Sequence, residues 1–378
     1  MSKTMIYADH AATTVLSPAA YDAMQPWLQG KYGNPSTLYS LAREPRKAIA
    51  YSREVIASAI HASPDEIFFT SGGTEADNWA LKGIAFQHER KKGIITSAIE
   101  HHAILNSCAA LERLGYPIAR LPVGQEGMVD PDILQSALVP STVLVSVMLA
   151  NNEIGSIEPV ERLAEVAHHA GVLFHTDAVQ AVGHIPVDVK ALQVDMLSAS
   201  AHKFNGPKGA GFLYVRNGIH LIPLLDGGEQ ERGMRAGTEN VAGIVGMATA
   251  LQEHVEHLVQ EMEYLSRLSS RLIDQLKLKG LDFQINGSHN RIPGNLSLSF
   301  KGADGEMLLH RMDLMGTAVA TGSACDSKDA MLSHVIRAIS VPQEYAHGTI
   351  RITLGMDNTP EHVDKISQQI ASILYQEC

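Results

Sequence analysis

The chain has 378 residues, 45% hydrophobic and 19% charged, the profile of an ordinary globular protein with a large core and length for about two domains. A net charge of −11 argues against a nucleic-acid-binding body, which needs a concentrated basic surface. No apolar run approaches the roughly 20 residues of a membrane span, and residues 1–9 lack the basic and apolar regions of a signal peptide, so the chain is expected in the cytoplasm without membrane contact.

Between about residues 66 and 215, strand-like apolar runs at 67–70, 93–96, 143–147, 172–175, 195–198 and 212–215 alternate with helical patterns such as 74–91. This alternation predicts an α/β fold with a mainly parallel, helix-covered sheet. From 240 to about 279 the chain reads as one long helix or two, and strand candidates at 295–300 and 349–354 then open a smaller second domain. That later region carries Cys325 and Arg351, so it is expected to fold back over the larger domain, with the N-terminal stretch packed beside it.

Open sheets place ligands outside the carboxyl ends of their strands, and polar clusters stand at such ends here: residues 71–75, 100–102, 151–152, 177–180 and 200–203. Gly72 and Gly73 permit a tight strand-to-helix turn whose free N–H groups, with the Thr74 hydroxyl, suit a phosphate; the same turn also serves as a plain helix cap. Asp177 ends a strand, where a buried carboxylate needs a cationic partner such as a protonated pyridine nitrogen. Lys203 can hold an aldehyde as a Schiff base. Lys208 competes for that role but lies beyond the Asn205, Gly206, Pro207 turn, which should carry it past the strand end. Pyridoxal phosphate supplies the phosphate, the aldehyde and the nitrogen together, and Thr74, Lys203 and Asp177 match its demands.

His101 and His102 follow a strand end, where an imidazole can stack on a ring or move protons; the bland reading is a polar pair that starts a helix. Arg351, between apolar neighbours, is either a bidentate clamp for a substrate carboxylate or half of an internal salt bridge. The three cysteines form no disulfide framework and no CxxC pair. Cys108 reads as core packing and Cys378 has no assigned role. Cys325, flanked by small residues, is the candidate nucleophile, provided that its thiolate is favoured by its surroundings.

Taken in order, YADHAAT at 7–13, YGNP at 32–35, TSGGTE at 70–75, EHH at 100–102, NNEIG at 151–155, HTDAVQ at 175–180, SAHK at 200–203, RAGT at 235–238 and TGSAC at 321–325 resemble the cysteine desulfurases of the NifS and IscS type, pyridoxal-phosphate-dependent members of the class V aminotransferase family. The resemblance runs almost end to end. It implies a fold-type I homodimer with a mainly parallel seven-stranded sheet domain and a smaller α+β domain, divided as 1–15 (N-terminal segment of the small domain), 16–255 (large cofactor domain) and 256–378 (small domain with the cysteine loop).

By the same resemblance Lys203 binds the cofactor aldehyde, Asp177 the pyridine nitrogen and Gln180 the phenolic oxygen. Gly73, Thr74, Ser200, Ala201 and His202 surround the phosphate with Thr238 from the neighbouring subunit, and His101 stacks on the ring. Asn152 touches cofactor and substrate, and with Arg351 and Asn34 holds the substrate carboxylate. L-cysteine would yield L-alanine and a persulfide on Cys325, which implies a mobile loop over 321–328. Thr321 stands where relatives usually carry serine, and Asp326 and Lys328 make the loop more charged than in many of them. The sulfur acceptor stays open among an iron–sulfur scaffold, a tRNA-thiolating enzyme and a DNA-phosphorothioation partner. No resident metal site is implied, although Cys325 could ligate a transferred cluster. The rival enzyme is a selenocysteine lyase or another pyridoxal-phosphate lyase or aminotransferase on the same scaffold; the rival from another class is a scaffold protein without cofactor.

Overall fold

The computed structural model describes residues 5–87, 92–322 and 332–375. The N-terminal segment contributes β1 (Ile6–Tyr7), α1 (Pro18–Gln29) and α2 (Arg43–Ala59). The alternating region follows as β2 (Ile67–Thr70), α3 (Gly73–Ala85), β3 (Gly93–Ser97), α4 (His102–Arg113), β4 (Ile118–Leu121), α5 (Pro131–Ala137), β5 (Thr142–Ser146), α6 (Val160–His169), β6 (Leu173–Asp177), β7 (Met196–Ser200) and β8 (Gly211–Val215).

These strands form one seven-stranded sheet in the order β2-β8-β7-β6-β5-β3-β4. Pairing is parallel throughout β7, β6, β5, β3 and β4, while β8 runs antiparallel to both β2 and β7. Every residue of β3, β7 and β8 is buried, as expected of strands covered on both faces. Because β8 alone is reversed, the carboxyl ends of the other six strands share one edge of the sheet, and the start of β8 meets them there.

The sequence reading put the first helix of this region at 74–91, whereas α3 ends at Ala85. Its buried stripe of Ala76, Trp79, Ala80, Leu81 and Ile84 stops there, and the polar run from Gln87 offers nothing further to bury. β4 escaped the sequence reading because it is an edge strand with Ala119 and Arg120 exposed, so it shows no apolar run.

A single helix, α7 (Val241–Leu278), then links two cores. Its first half packs Ile244, Met247, Ala248 and Leu251 against the sheet domain, and its second half packs Leu265, Leu268, Leu272 and Leu276 into a second core. That second core holds β9 (Phe283–Ile285), β10 (Asn295–Phe300), α8 (Gly305–Leu314), β11 (Thr317–Ala318), β12 (Thr349–Thr353) and α11 (Pro360–Tyr375), whereas α9 (His334–Ala338) and α10 (Gln343–Ala346) pack Val335, Ile336 and Ala346 in a separate cluster with Ile99, Met148 and Ile154. In the second core β12-β10-β9 form an antiparallel sheet, covered by Val363, Ile366 and Ile370 of α11. β1 pairs parallel with β11, and Asp9 bridges to Thr353, so the N-terminal strand belongs to this second core. Among the described residues no helix is long and apolar enough to cross a membrane.

Candidate active site

A cavity of about 500 Å³ opens at the shared strand edge, within the usual range for small-molecule sites. It is lined by Gly72, Gly73 and Thr74 after β2, His101 after β3, Asn152 after β5, Asp177 and Gln180 at the end of β6, and Ser200, His202 and Lys203 after β7. Arg351 reaches it from β12, and Ala11 and Ala12 from the N-terminal segment, so both cores contribute.

The turn before α3 is built for close approach. Gly72 is the N-cap with φ +148, a conformation that L side chains rarely adopt, and a Cβ at Gly73 would stand 2.6 Å from Val179 Cγ2. The first-turn N–H groups of α3 have no intrahelical acceptors and carry the positive end of the helix dipole. Glu75 fastens the turn: its carboxylate accepts the Ser71 N–H at 2.8 Å and a two-armed contact from Arg235 at 2.8 and 3.0 Å. That pairing holds the Glu75 carboxyl below its ordinary range despite burial.

Lys203 Nζ donates to the carbonyls of Ala11 at 2.6 Å and Ala12 at 2.9 Å, and Gln180 Nε2 donates to the same Ala11 carbonyl at 3.0 Å. The lysine segment is locked from below, since Thr14 bonds the His202 carbonyl and His184 Nε2 bonds the Lys203 carbonyl at 2.9 Å. Lys208 also lines the cavity, with Nζ 3.5 Å from the Thr14 carbonyl, so the expected turn does not carry it clear of the site.

Asp177 is 4% exposed and accepts the Val179 N–H at 2.9 Å; burial pushes its carboxyl up to about 6, opposed by that bond and by Lys203. His101 is the N-cap of α4, its Nδ1 accepting the Ala103 N–H at 3.1 Å, so the helix-starting role is real and coexists with a place on the cavity wall. Burial, with the charges of Lys203, His102 and His334, pushes its imidazole down to about 4. It is therefore neutral at pH 7, and with Nδ1 accepting, Nε2 carries the proton.

Arg351 is 2% exposed and is tied to Asp9 Oδ1 at 2.6 Å and to the Asn152 carbonyl at 2.9 Å, while its Nε meets no hydrogen-bond acceptor among the described residues. The internal salt bridge considered from sequence is present, on a residue that also faces the cavity. Three candidates stand apart from this wall. Ala201 is buried with its N–H on the Ala210 carbonyl, Thr238 is exposed, and Asn34 uses its side chain to accept the Ser36 N–H. Cys325 and most of the 321–328 segment lie outside the described residues; Ala320, just before it, pairs with Arg351. Cys108 is fully buried in the core beside Trp79, its thiol pushed up by burial to about 12, as expected of an inert cysteine. Sequence reasoning passed over Asp77, Asp9 and the Ala11 and Ala12 carbonyls; only Asp77 left a signal, a carboxyl on the apolar stripe of α3.

A sheet that gathers a lysine, an aspartate and a helix-terminal anion site at one edge defines a class of cofactor enzyme, and the chain belongs to the family described as Aminotransferase class-V, which matches residues 6–366. It is 51% identical over 364 residues to "Cysteine desulfurase IscS" of Dictyoglomus turgidum, covering 96% of this chain and 92% of that one. Among solved structures it is similar to a "NIFS-LIKE PROTEIN", with TM-score 0.93, 38% identity and coverage of 99% and 100% of the two chains. It is also similar to "SspA in complex with cysteine", with TM-score 0.83, 34% identity and coverage of 93% and 99%.

The family is pyridoxal-phosphate dependent, and the residues present fit that group. The glycine turn presents backbone N–H groups at a point where a Cβ on Gly73 would collide with Val179, Asp177 is a buried carboxyl with no basic side chain bonded to it among the described residues, and Lys203 lines the cavity on the Ala11 and Ala12 carbonyls.

Proposed function

We propose that the protein is a pyridoxal-phosphate-dependent cysteine desulfurase that takes sulfur from L-cysteine, releases L-alanine and carries the sulfur as a persulfide on Cys325. The observation that carries this reading is the meeting of Lys203, Asp177 and the Gly73–Thr74 turn in one cavity, in a chain half identical to a cysteine desulfurase over nearly its whole length.

When bound, pyridoxal phosphate supplies an electron sink that acidifies the substrate Cα. Lys203 would anchor it, Gly73, Thr74, Ser200 and His202 would hold the phosphate with Ala201 shaping the turn, and Asp177, Gln180 and His101 would serve the ring nitrogen, the phenolic oxygen and the ring. Asn152 and Arg351 orient the substrate carboxylate, joined by Asn34. Lys203 Nζ would also accept the substrate Cα proton. With Nδ1 accepting the Ala103 N–H, the neutral His101 would keep its Nε2 proton and offer it as a hydrogen-bond donor. Cys325 attacks the substrate sulfur as a thiolate; the new S–S bond replaces the C–S bond, whose electron pair stays with the carbon that becomes the alanine methyl.

The exposed Thr238 and an apolar surface over α1, α2 and the link between them (Tyr21, Leu28, Tyr32, Leu38, Tyr51) support a homodimer in which Thr238 of the partner subunit completes each phosphate site. The product persulfide calls for a sulfur-acceptor protein of an iron–sulfur or thio-modification pathway, in the cytoplasm. We place the boundary between large and small domains at 255/256, inside α7 between Leu251 and Leu265, where its buried face passes from one core to the other.

Mass spectrometry of the purified protein after addition of L-cysteine tests the reading. Extra sulfur on Cys325 with matching alanine is the expected result. Alanine without that persulfide would make the protein a lyase that bypasses the thiol, and neither product from protein holding pyridoxal phosphate would reject the substrate.

A further inference from the structure

The cavity floor carries a second carboxyl that the proposed chemistry does not use. Asp77 lies one turn after Gly73 on the inner side of α3, is 1% exposed and lines the cavity. One oxygen of Asp77, one of Asp177 and a ring nitrogen of His101 all lie within 4.8 Å of one another. Among the described residues Asp77 Oδ1 has no hydrogen-bond partner, and it stands 3.9 Å from His175 Nε2. That imidazole offers no countercharge: it bonds Ser146 Oγ at 2.9 Å and Ser198 Oγ at 3.0 Å, and complete burial pushes it down to about 3.

Two buried carboxyls this close disfavour a double negative charge, which leaves one of them with a proton. The surroundings are unequal. Asp177 of β6 accepts the Val179 backbone N–H and feels Lys203, both of which favour its anion. Asp77 of α3 faces Asp177 and the neutral His175 of β6, the Ser198 hydroxyl of β7, the neutral His101 at the start of α4 and the buried Glu100; of these only the Ser198 bond favours an anion. We propose that Asp77 holds the shared proton and Asp177 the charge, which makes Asp77 a positioning residue that keeps the anion on the carboxyl meant for the ring nitrogen. The service to the ring nitrogen rests on the function proposed above; the location of the proton does not.

Infrared spectroscopy of the purified full-length protein carrying carboxyl-13C aspartate reads the proton directly, because the label shifts the C=O stretch of a protonated aspartate and leaves unshifted those of Glu100 and Glu158, whose carboxyls burial raises to about 8. The expected result at neutral pH is an isotope-shifted acid band that Asp77→Asn abolishes and Ser198→Ala displaces. No such band in the wild type, or a band unchanged in both variants, would overturn the proposal. Should Asp77→Asn fail to fold, the labelled wild type and Ser198→Ala still decide it. Asp77→Asn replaces a neutral acid by a neutral group of the same shape, so the variant is expected to keep its cofactor absorbance. Loss of absorbance and alanine release in the wild type itself would count against the enzyme reading and leave the infrared result standing.

Discussion

The strongest consequences at the scale of single residues follow from burial of ionisable groups. Lys203→Ala removes both the anchor and the base, and alanine release is expected to fall by roughly a thousandfold or more, read with the cofactor absorbance in the same sample. Asp177 has its carboxyl raised to about 6 from an ordinary 3.8, so the folded cofactor-free protein binds more protons than the unfolded chain across that window. Its stability contribution is therefore lost as pH rises through 6, and a cationic ring nitrogen offsets the loss. Cofactor affinity should rise with pH from about 5 to 7 in the wild type, and Asp177→Asn should flatten that part of a binding titration. Glu100 is raised by burial to about 8, with Ser97 and the Met148 N–H bonded to one oxygen. The sign is the same, so stability from this group is present at low pH and lost as pH rises through 8. Glu100→Gln should unfold at a higher temperature than wild type above pH 8, a gain on the order of a few kcal/mol in denaturant titrations.

Among elements, the α3 turn is the tightest part of the site. Gly73→Ala forces a Cβ against Val179, 2.6 Å away, and overpacking of this kind costs roughly 1–3 kcal/mol. The variant should melt lower and bind pyridoxal phosphate at least about tenfold more weakly, since the turn must open where the phosphate docks. The central strands were legible in the sequence because strands buried on both faces are unbroken apolar runs, and the observed limits of β2, β3, β5, β6, β7 and β8 fall within two residues of those runs. The reversal of β8 was not legible, since an apolar pentapeptide has no direction. Nor were β1 and β11, two-residue strands that exist only because the N-terminal segment meets residues 317–318 in the second core.

For the molecule as a whole, the exposed Thr238 leads to a test of shared sites. If each site takes Lys203 from one subunit and Thr238 from the other, two inactive proteins, Lys203→Ala and Thr238→Asp, should regain activity when co-expressed. Each heterodimer then holds one intact site, giving about a quarter of wild-type activity for random pairing. No recovery, in heterodimers isolated by paired affinity tags, would place Thr238 outside the partner's site.

What the sequence settled alone was local: which segments alternate, where their polar ends fall, and that Lys203, Asp177 and Thr74 suit one cofactor, because periodicity and turn chemistry are written in neighbouring residues. What only the tertiary structure decided was the set of partners drawn from far along the chain. Asp9 neutralises Arg351, the Ala11 and Ala12 carbonyls hold Lys203, and Asp77 stands beside Asp177. Charge, proton location and cavity shape depend on distances of a few ångströms between such partners, and no spacing along the chain encodes them.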